Sequence, residues 1–211
     1  MCGITGELRF NDHEPAVSDM TQLVEMMARR GPDGQGIWTD GQSCTLGFRR
    51  LAILDLTMAA DQPMLSPDGR FALVYNGELY NFRTLRAELE QTGVAFRSTG
   101  DTEVVLQALM HWDKDALDRF NGMFALGFYD SVTKTLLLAR DHAGIKPLYT
   151  LITRDGLYFA SQYDQILAHP GAPDCRFSRR HWDSICVWAI SLRHTASWSR
   201  PACWSRVAGW K

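Results

Sequence analysis

The stretch Met123-Phe124-Ala125-Leu126-Gly127-Phe128-Tyr129-Asp130, followed by Lys134–Arg140, Leu148–Thr153 and Leu157–Ala160, decides the fold class. Each run is short, apolar and bounded by turn residues, the pattern of strands joined as a meander. Cys2–Phe10, Thr45–Leu56 and Arg70–Asn76 upstream have the same character. Helical spacing is confined to three segments. In Val17–Arg30, Met20, Leu23, Val24 and Met27 recur three and four apart, with Ser18 as N-cap; Asn81–Thr92 stops at Gly93; Thr102–Trp112 is the third. Arg30-Gly31-Pro32-Asp33-Gly34 is a turn. Strands that dominate over two or three helices predict an α+β layered fold rather than a doubly wound parallel sheet.

Composition narrows the class further. With 211 residues the chain holds one large domain or two small ones, and 45% apolar with 22% charged residues excludes disorder throughout. No apolar run approaches the roughly 18 residues of a membrane span. Met1–Glu7 has neither the basic nor the apolar region of a signal peptide. The five cysteines contain no Cys-x-x-Cys, so neither a zinc site nor a disulfide framework is indicated. Reduced thiols and a cytoplasmic location are expected. A net charge of −2 makes no case for nucleic acid or an anionic membrane surface. That total is split, however: residues 1–174 carry −8, while residues 175–211 carry +6 together with five of the seven tryptophans.

Four stretches have the residue types for chemistry, and each has a plainer alternative. Cys2 becomes residue one if Met1 is removed; its own α-amine, titrating near pH 8, can then serve as general base for the thiol. The alternative is a buried strand cysteine. In Val74-Tyr75-Asn76-Gly77-Glu78, a strand ending at an Asn-Gly turn can aim an amide and a backbone N–H at an oxyanion; the alternative is a turn alone. Arg49-Arg50 beside the apolar Leu51–Leu56 run suits a substrate carboxylate or a structural ion pair. Asp101, in Ser98-Thr99-Gly100-Asp101-Thr102-Glu103, is an N-cap or an anchor for a substrate ammonium. The glycine-rich Arg30–Gly36 segment lacks the ending of a phosphate loop. Arg140, Asp141 and Lys146, in Ala139–Tyr149, are expected to pair internally, and His142 has no second histidine at metal-ligand spacing.

The order of the motifs says more than any one of them. Met1-Cys2-Gly3-Ile4-Thr5-Gly6, Arg30-Gly31-Pro32-Asp33, Arg49-Arg50-Leu51-Ala52-Ile53, Tyr75-Asn76-Gly77-Glu78-Leu79-Tyr80-Asn81, Gly100-Asp101-Thr102-Glu103, Asn121–Ala125 and Ala139–Tyr149 follow one another. The chain resembles the class II glutamine amidotransferases, specifically the N-terminal glutaminase domain of the asparagine synthetase family, from Met1 to about Pro170. The resemblance implies an N-terminal nucleophile hydrolase fold, a four-layer α/β/β/α sandwich with two antiparallel sheets. It implies Cys2 as nucleophile, Asn76 and Gly77 as oxyanion hole, and Arg50 as the grip on the glutamine α-carboxylate. Asp101 and Glu78 are implied around the α-amino group, with Leu51 and Ile53 lining the pocket through their backbone. The implied reaction releases glutamate and ammonia from L-glutamine and needs no metal or cofactor.

The chain departs from the family in three ways. Phe48 stands where many relatives carry His, and Ser161-Gln162 where Ser-Glu is frequent. No Ser-Gly-Gly-x-Asp-Ser loop of the ATP-dependent synthetase half occurs, so ATP and Mg are expected only for that missing domain, to which ammonia would be delivered. The expected organisation is a glutaminase domain at 1–170 and a non-family tail at 171–211, frameshifted or disordered; Arg176–Lys211 shows no recognisable element. A basic, Trp-rich tail for an anionic partner is the alternative. For the whole chain, the alternatives to an active glutaminase are a silent glutamine-binding or assembly module and a non-functional fragment of a disrupted gene. A homodimer is left open.

Overall fold

The structure, a computed structural model, describes residues 1–10, 17–52, 58–170 and 189–193. In chain order its elements are β1 (Gly3–Arg9), α1 (Val17–Met26), β2 (Gly34–Thr39), β3 (Cys44–Arg50), a short 3₁₀ turn at Met58–Ala60 and β4 (Met64–Leu65). There follow β5 (Phe71–Leu79), α2 (Phe82–Gln91), α3 (Asp101–Trp112), a 3₁₀ segment at Asp113–Arg119, β6 (Gly122–Asp130) and β7 (Thr135–Arg140). The last elements are β8 (Tyr149–Ile152), β9 (Gly156–Ala160), α4 (Tyr163–Ala168) and β10 (Ala189–Arg193). They form two antiparallel five-stranded sheets, ordered β2-β3-β1-β9-β8 and β10-β7-β6-β5-β4.

Strand alternation builds the layers, because successive side chains point to opposite faces. β1, β3 and β9 send Ile4, Leu8, Leu46, Phe48, Leu157 and Phe159 inward. There they meet Ala72, Val74, Ala125, Tyr129, Leu136 and Leu138 of the second sheet. A fully buried Leu or Phe contributes roughly 1.5–3 kcal/mol relative to exposure, so this inter-sheet layer holds the sandwich together. On the far face of the second sheet, Leu73, Tyr75, Leu79, Leu126 and Phe128 pack on Leu85 and Leu89 of α2 and Val104–Leu106 of α3. On the far face of the first sheet, α1 adds Met20 and Val24, the residue just after it adds Met27, and α4 adds Ile166 against Tyr158. The result is helices, sheet, sheet, helices: the four-layer arrangement the resemblance implied.

Several local readings change. The meander splits into two hairpins: β6–β7 lies in one sheet and β8–β9 in the other, so the chain crosses between layers at residues 141–148. β5 does not stop at Asn76-Gly77 but runs on to Leu79, because Gly77 stays in register opposite Phe124. A Cβ there would come within 2.6 Å of the Met123 carbonyl oxygen, so glycine permits the close pairing. β2 was not foreseen, since its glycines read as a turn. α1 starts at Val17, which puts Ser18 inside the helix instead of capping it. β3 ends at Arg50, residues 51–52 are no longer strand, and the remainder of the expected strand, 53–56, lies outside the described residues. The stretch read as patternless contributes β10, which pairs Ala189 with Ala139 through Arg193 with Thr135.

Candidate active site

One end of the sandwich, where β1 and β6 begin and β3 and β5 run out, opens into a cavity of about 260 Å³. The alternation that fills the core also aims residues into it. Phe48 is buried between the sheets, and two residues later Arg50 leaves on the same side. Val74 is buried there too, and Asn76 follows it. Cys2, just before β1, packs on the same inter-sheet cluster. Cys2, Arg50, Leu51, Asn76, Gly77, Glu78 and Asp101 all line this cavity. Ile53 lies outside the described residues.

Cys2 is held by the chain after β3. The Leu51 N–H donates to Cys2 Sγ at 3.4 Å, and the thiol faces the Leu51 carbonyl at 3.6 Å. Arg30 Nε donates to the Cys2 carbonyl at 3.1 Å, and the Met1 amine donates to the Arg30 carbonyl at 3.3 Å. Burial lowers the Arg30 pKa, and the nearby Cys2 and Tyr149 act the other way.

Asn76 is 2% exposed, and its Nδ2 has no hydrogen-bond partner. An orphaned buried donor costs roughly 1–3 kcal/mol, so such groups are rare in folded proteins unless a ligand answers them. Asp101 is not an N-cap: Gly100 holds that position, and Asp101 is the first residue of α3. Its Oδ2 instead accepts from Tyr75 Oη at 3.0 Å and from the Leu79 N–H at 2.9 Å. Burial raises the Asp101 pKa above the ordinary carboxylate value, against the pull of those two donors, and Glu78 adds to the rise. Tyr75 is driven well up by burial and by Asp101, so it stays a neutral donor. Glu78 is exposed at the rim. The loop before α3 is fixed by Glu103, which accepts from the Arg97 and Ser98 N–H groups and from Ser98 Oγ at 2.6–3.0 Å.

Arg50 donates from Nη1 to Asp61 Oδ1 at 2.6 Å. Asp61 is half exposed, so the pair orients the guanidinium more than it stabilises the fold. No direct ion pair joins Arg140, Asp141 and Lys146, although the Arg140 charge helps to lower the Asp141 pKa beside its backbone donors. The Asp141 carboxylate is occupied by the backbone N–H groups of Phe124, Ile145 and Lys146, and Arg140 Nη2 donates to the Gly144 carbonyl at 2.6 Å. Lys146 is 6% exposed and lines the cavity. Lys146 was read in sequence only as an internal ion-pair partner, and Gln62, also in the lining, was passed over because no local pattern marked it. Among the described residues no group of three or more His, Cys, Asp and Glu side chains could hold a metal ion, and no helix is long and apolar enough to cross a membrane.

A sequence profile described as glutamine amidotransferase domain matches residues 1–194. The chain belongs to that family. This amidotransferase domain is 36% identical over 173 residues to the glutamine-hydrolyzing asparagine synthetase 3 of Bacillus subtilis, covering 81% of this chain and 28% of that protein. It is 40% identical over 156 residues to a putative glutamine-hydrolyzing asparagine synthetase of Mycobacterium bovis, covering 70% and 24%. The amidotransferase domain thus spans about a quarter of the length of the curated relatives it matches. In fold it resembles the glutamine phosphoribosylpyrophosphate amidotransferase of B. subtilis, with a TM-score of 0.68, 22% identity, 94% of this chain covered and 50% of the other. The family match reaches past Pro170 and takes in β10.

Proposed function

We propose that the domain hydrolyses L-glutamine to glutamate and ammonia through a thioester on Cys2. The observation that carries this reading is the buried, unpartnered Nδ2 of Asn76 in the same cavity as the Cys2 thiol. A tetrahedral oxyanion formed by thiolate attack supplies the acceptor that this donor lacks, with the Gly77 segment beside it. Arg50 and Asp101 take the α-carboxylate and α-ammonium, so the carboxamide is positioned by both charged ends before attack. With Met1 removed, the Cys2 α-amine accepts the thiol proton and returns it to the leaving nitrogen; water then cleaves the thioester. A reduced, cytoplasmic thiol suits this role.

The relatives' names further suggest an asparagine synthetase-type assembly, in which ammonia passes to an ATP- and Mg-dependent synthetase unit. A second reading rests on the Met1 amine, which contacts the Arg30 carbonyl. A chain that keeps Met1 has no α-amine on Cys2 and acts as a glutamine-binding module without turnover. Glutamate release from glutamine by wild type and by Cys2→Ala, with N-terminal mass analysis of both, decides. Wild type lacking Met1 should turn over and the variant should not. Equal rates would sink the proposal.

A further inference from the structure

We infer that Gln62 is a positioning residue for the oxyanion donor, its side chain serving as one residue of strand beside Tyr75. This rests on the glutaminase reading and adds to it a residue outside the reacting set. β4 pairs Met64 with Leu73 and Leu65 with Ala72. Extending that register by two residues sets Gln62 opposite Tyr75, but Pro63 has no N–H with which to continue a ladder. The Gln62 carboxamide takes over: its Oε1 accepts from the Tyr75 N–H at 2.6 Å, and its Nε2 donates to the Tyr75 carbonyl at 3.1 Å. One acceptor and one donor exchanged with a single residue is the bonding of an antiparallel hydrogen-bonded pair.

Tyr75 is the point where this matters. The residue after it is Asn76, and its own hydroxyl donates to Asp101. A shift of the Tyr75 backbone therefore moves the Asn76 amide first, while Asp101 keeps its second bond to the Leu79 N–H. Gln62 is 7% exposed, and β2 packs against its backbone: a Cβ at Gly36 would overlap the Gln62 carbonyl oxygen, so the main chain from which the carboxamide reaches Tyr75 is itself held in place.

Two variants separate this role from bulk stability. Gln62→Glu keeps the acceptor for the Tyr75 N–H but sets a carboxylate oxygen against the Tyr75 carbonyl; protonation of the introduced carboxyl restores the donor. Gln62→Met keeps the volume and loses both bonds at every pH. Both should lower kcat by about 10–100-fold, as a displacement of an ångström or less does, with KM for glutamine within about threefold. Relative to wild type at the same pH, the Gln62→Glu deficit should narrow as pH falls, and the Gln62→Met deficit should not. Wild-type kcat in either variant would overturn the proposal, as would loss of a cooperative melt in both, which would assign Gln62 to stability alone. An inactive wild type would instead defeat the glutaminase reading. The positioning claim then stands or falls on the Tyr75 amide exchange rate and the Asn76 side-chain NH₂ resonances of Gln62→Met: change in both supports it, and no change in either overturns it.

Discussion

Asn76→Ala is the perturbation for which catalysis and stability are expected to part most clearly. The Asn76 side chain is buried, yet its Nδ2 bonds to nothing in the resting domain. Burying a donor without a partner costs about 1–3 kcal/mol, and the substitution relieves that cost. Against this stand the lost contacts of three heavy atoms at a cavity wall that water can refill. The two effects are of similar size and opposite sign. Since 1 kcal/mol shifts Tm by about 2–4 °C at this chain length, Tm should stay within about 4 °C of wild type. On the proposed mechanism the reaction responds differently, because the donor is used only when the oxyanion forms. Loss of one such donor lowers kcat by about 10²–10³-fold, and KM should hardly move. Coupled glutamate detection at saturating and limiting glutamine, with a thermal melt of the same preparations, measures all three quantities. A kcat within threefold of wild type, or a Tm drop of more than about 10 °C, would refute the assignment and make Asn76 a structural residue.

Two pH-dependent outcomes follow from the carboxylates. Burial holds Asp101 above the ordinary carboxylate pKa, and only its anion attracts the substrate ammonium. KM for glutamine should therefore rise as pH falls through a window above the ordinary carboxylate value of 3.8, and Asp101→Asn should raise KM and erase that limb; a limb at or below that value refutes the role. The Asp130 carboxylate, paired with Arg70 at 2.7 Å and further held by the Val132 and Thr133 N–H groups, is lowered from 3.8 to about 2. A folded pKa below the unfolded one gives stability that is present above 3.8 and lost as pH falls through about 2. Denaturant melts from pH 5 to pH 2 should show this loss, and Asp130→Asn should flatten it. Parallel curves for the two proteins would exclude the mechanism.

The layers were legible from Phe124, Leu126 and Phe128, because a two-residue period needs no knowledge of partners. Sheet membership was not: nothing in Leu148–Thr153 tells that β8 joins β9 across the sandwich from β7, since that depends on where the segment at 141–148 crosses. Asn76 was misread as the end of its strand because Asn-Gly is a local turn signal. The close carbonyl of Met123, which holds Gly77 extended, is a tertiary fact. Cys2, Arg50, Asn76 and Asp101, picked out by motif, line one cavity. Gln62 did not announce itself, because a glutamine acting as backbone looks in sequence like any other glutamine. Asp101 shows the same limit: its position before a helix suggested a cap, and only the approach of Tyr75 and Leu79 revealed where its oxygens bond.

β10 has a consequence for how this domain behaves among its copies. It lies at the margin of the second sheet and hydrogen-bonds along β7 from Thr135 to Ala139. A sheet margin left bare offers an open row of amides and carbonyls, a template onto which any extended chain can add. In this protein Ala189–Arg193, a segment far down the sequence, occupies that row. Cutting the chain at Pro170 would keep every cavity residue named above and yet leave β7 adhesive. The boundary that keeps the cavity is thus not the boundary that keeps β7 paired; the second requires Ala189–Arg193 as well.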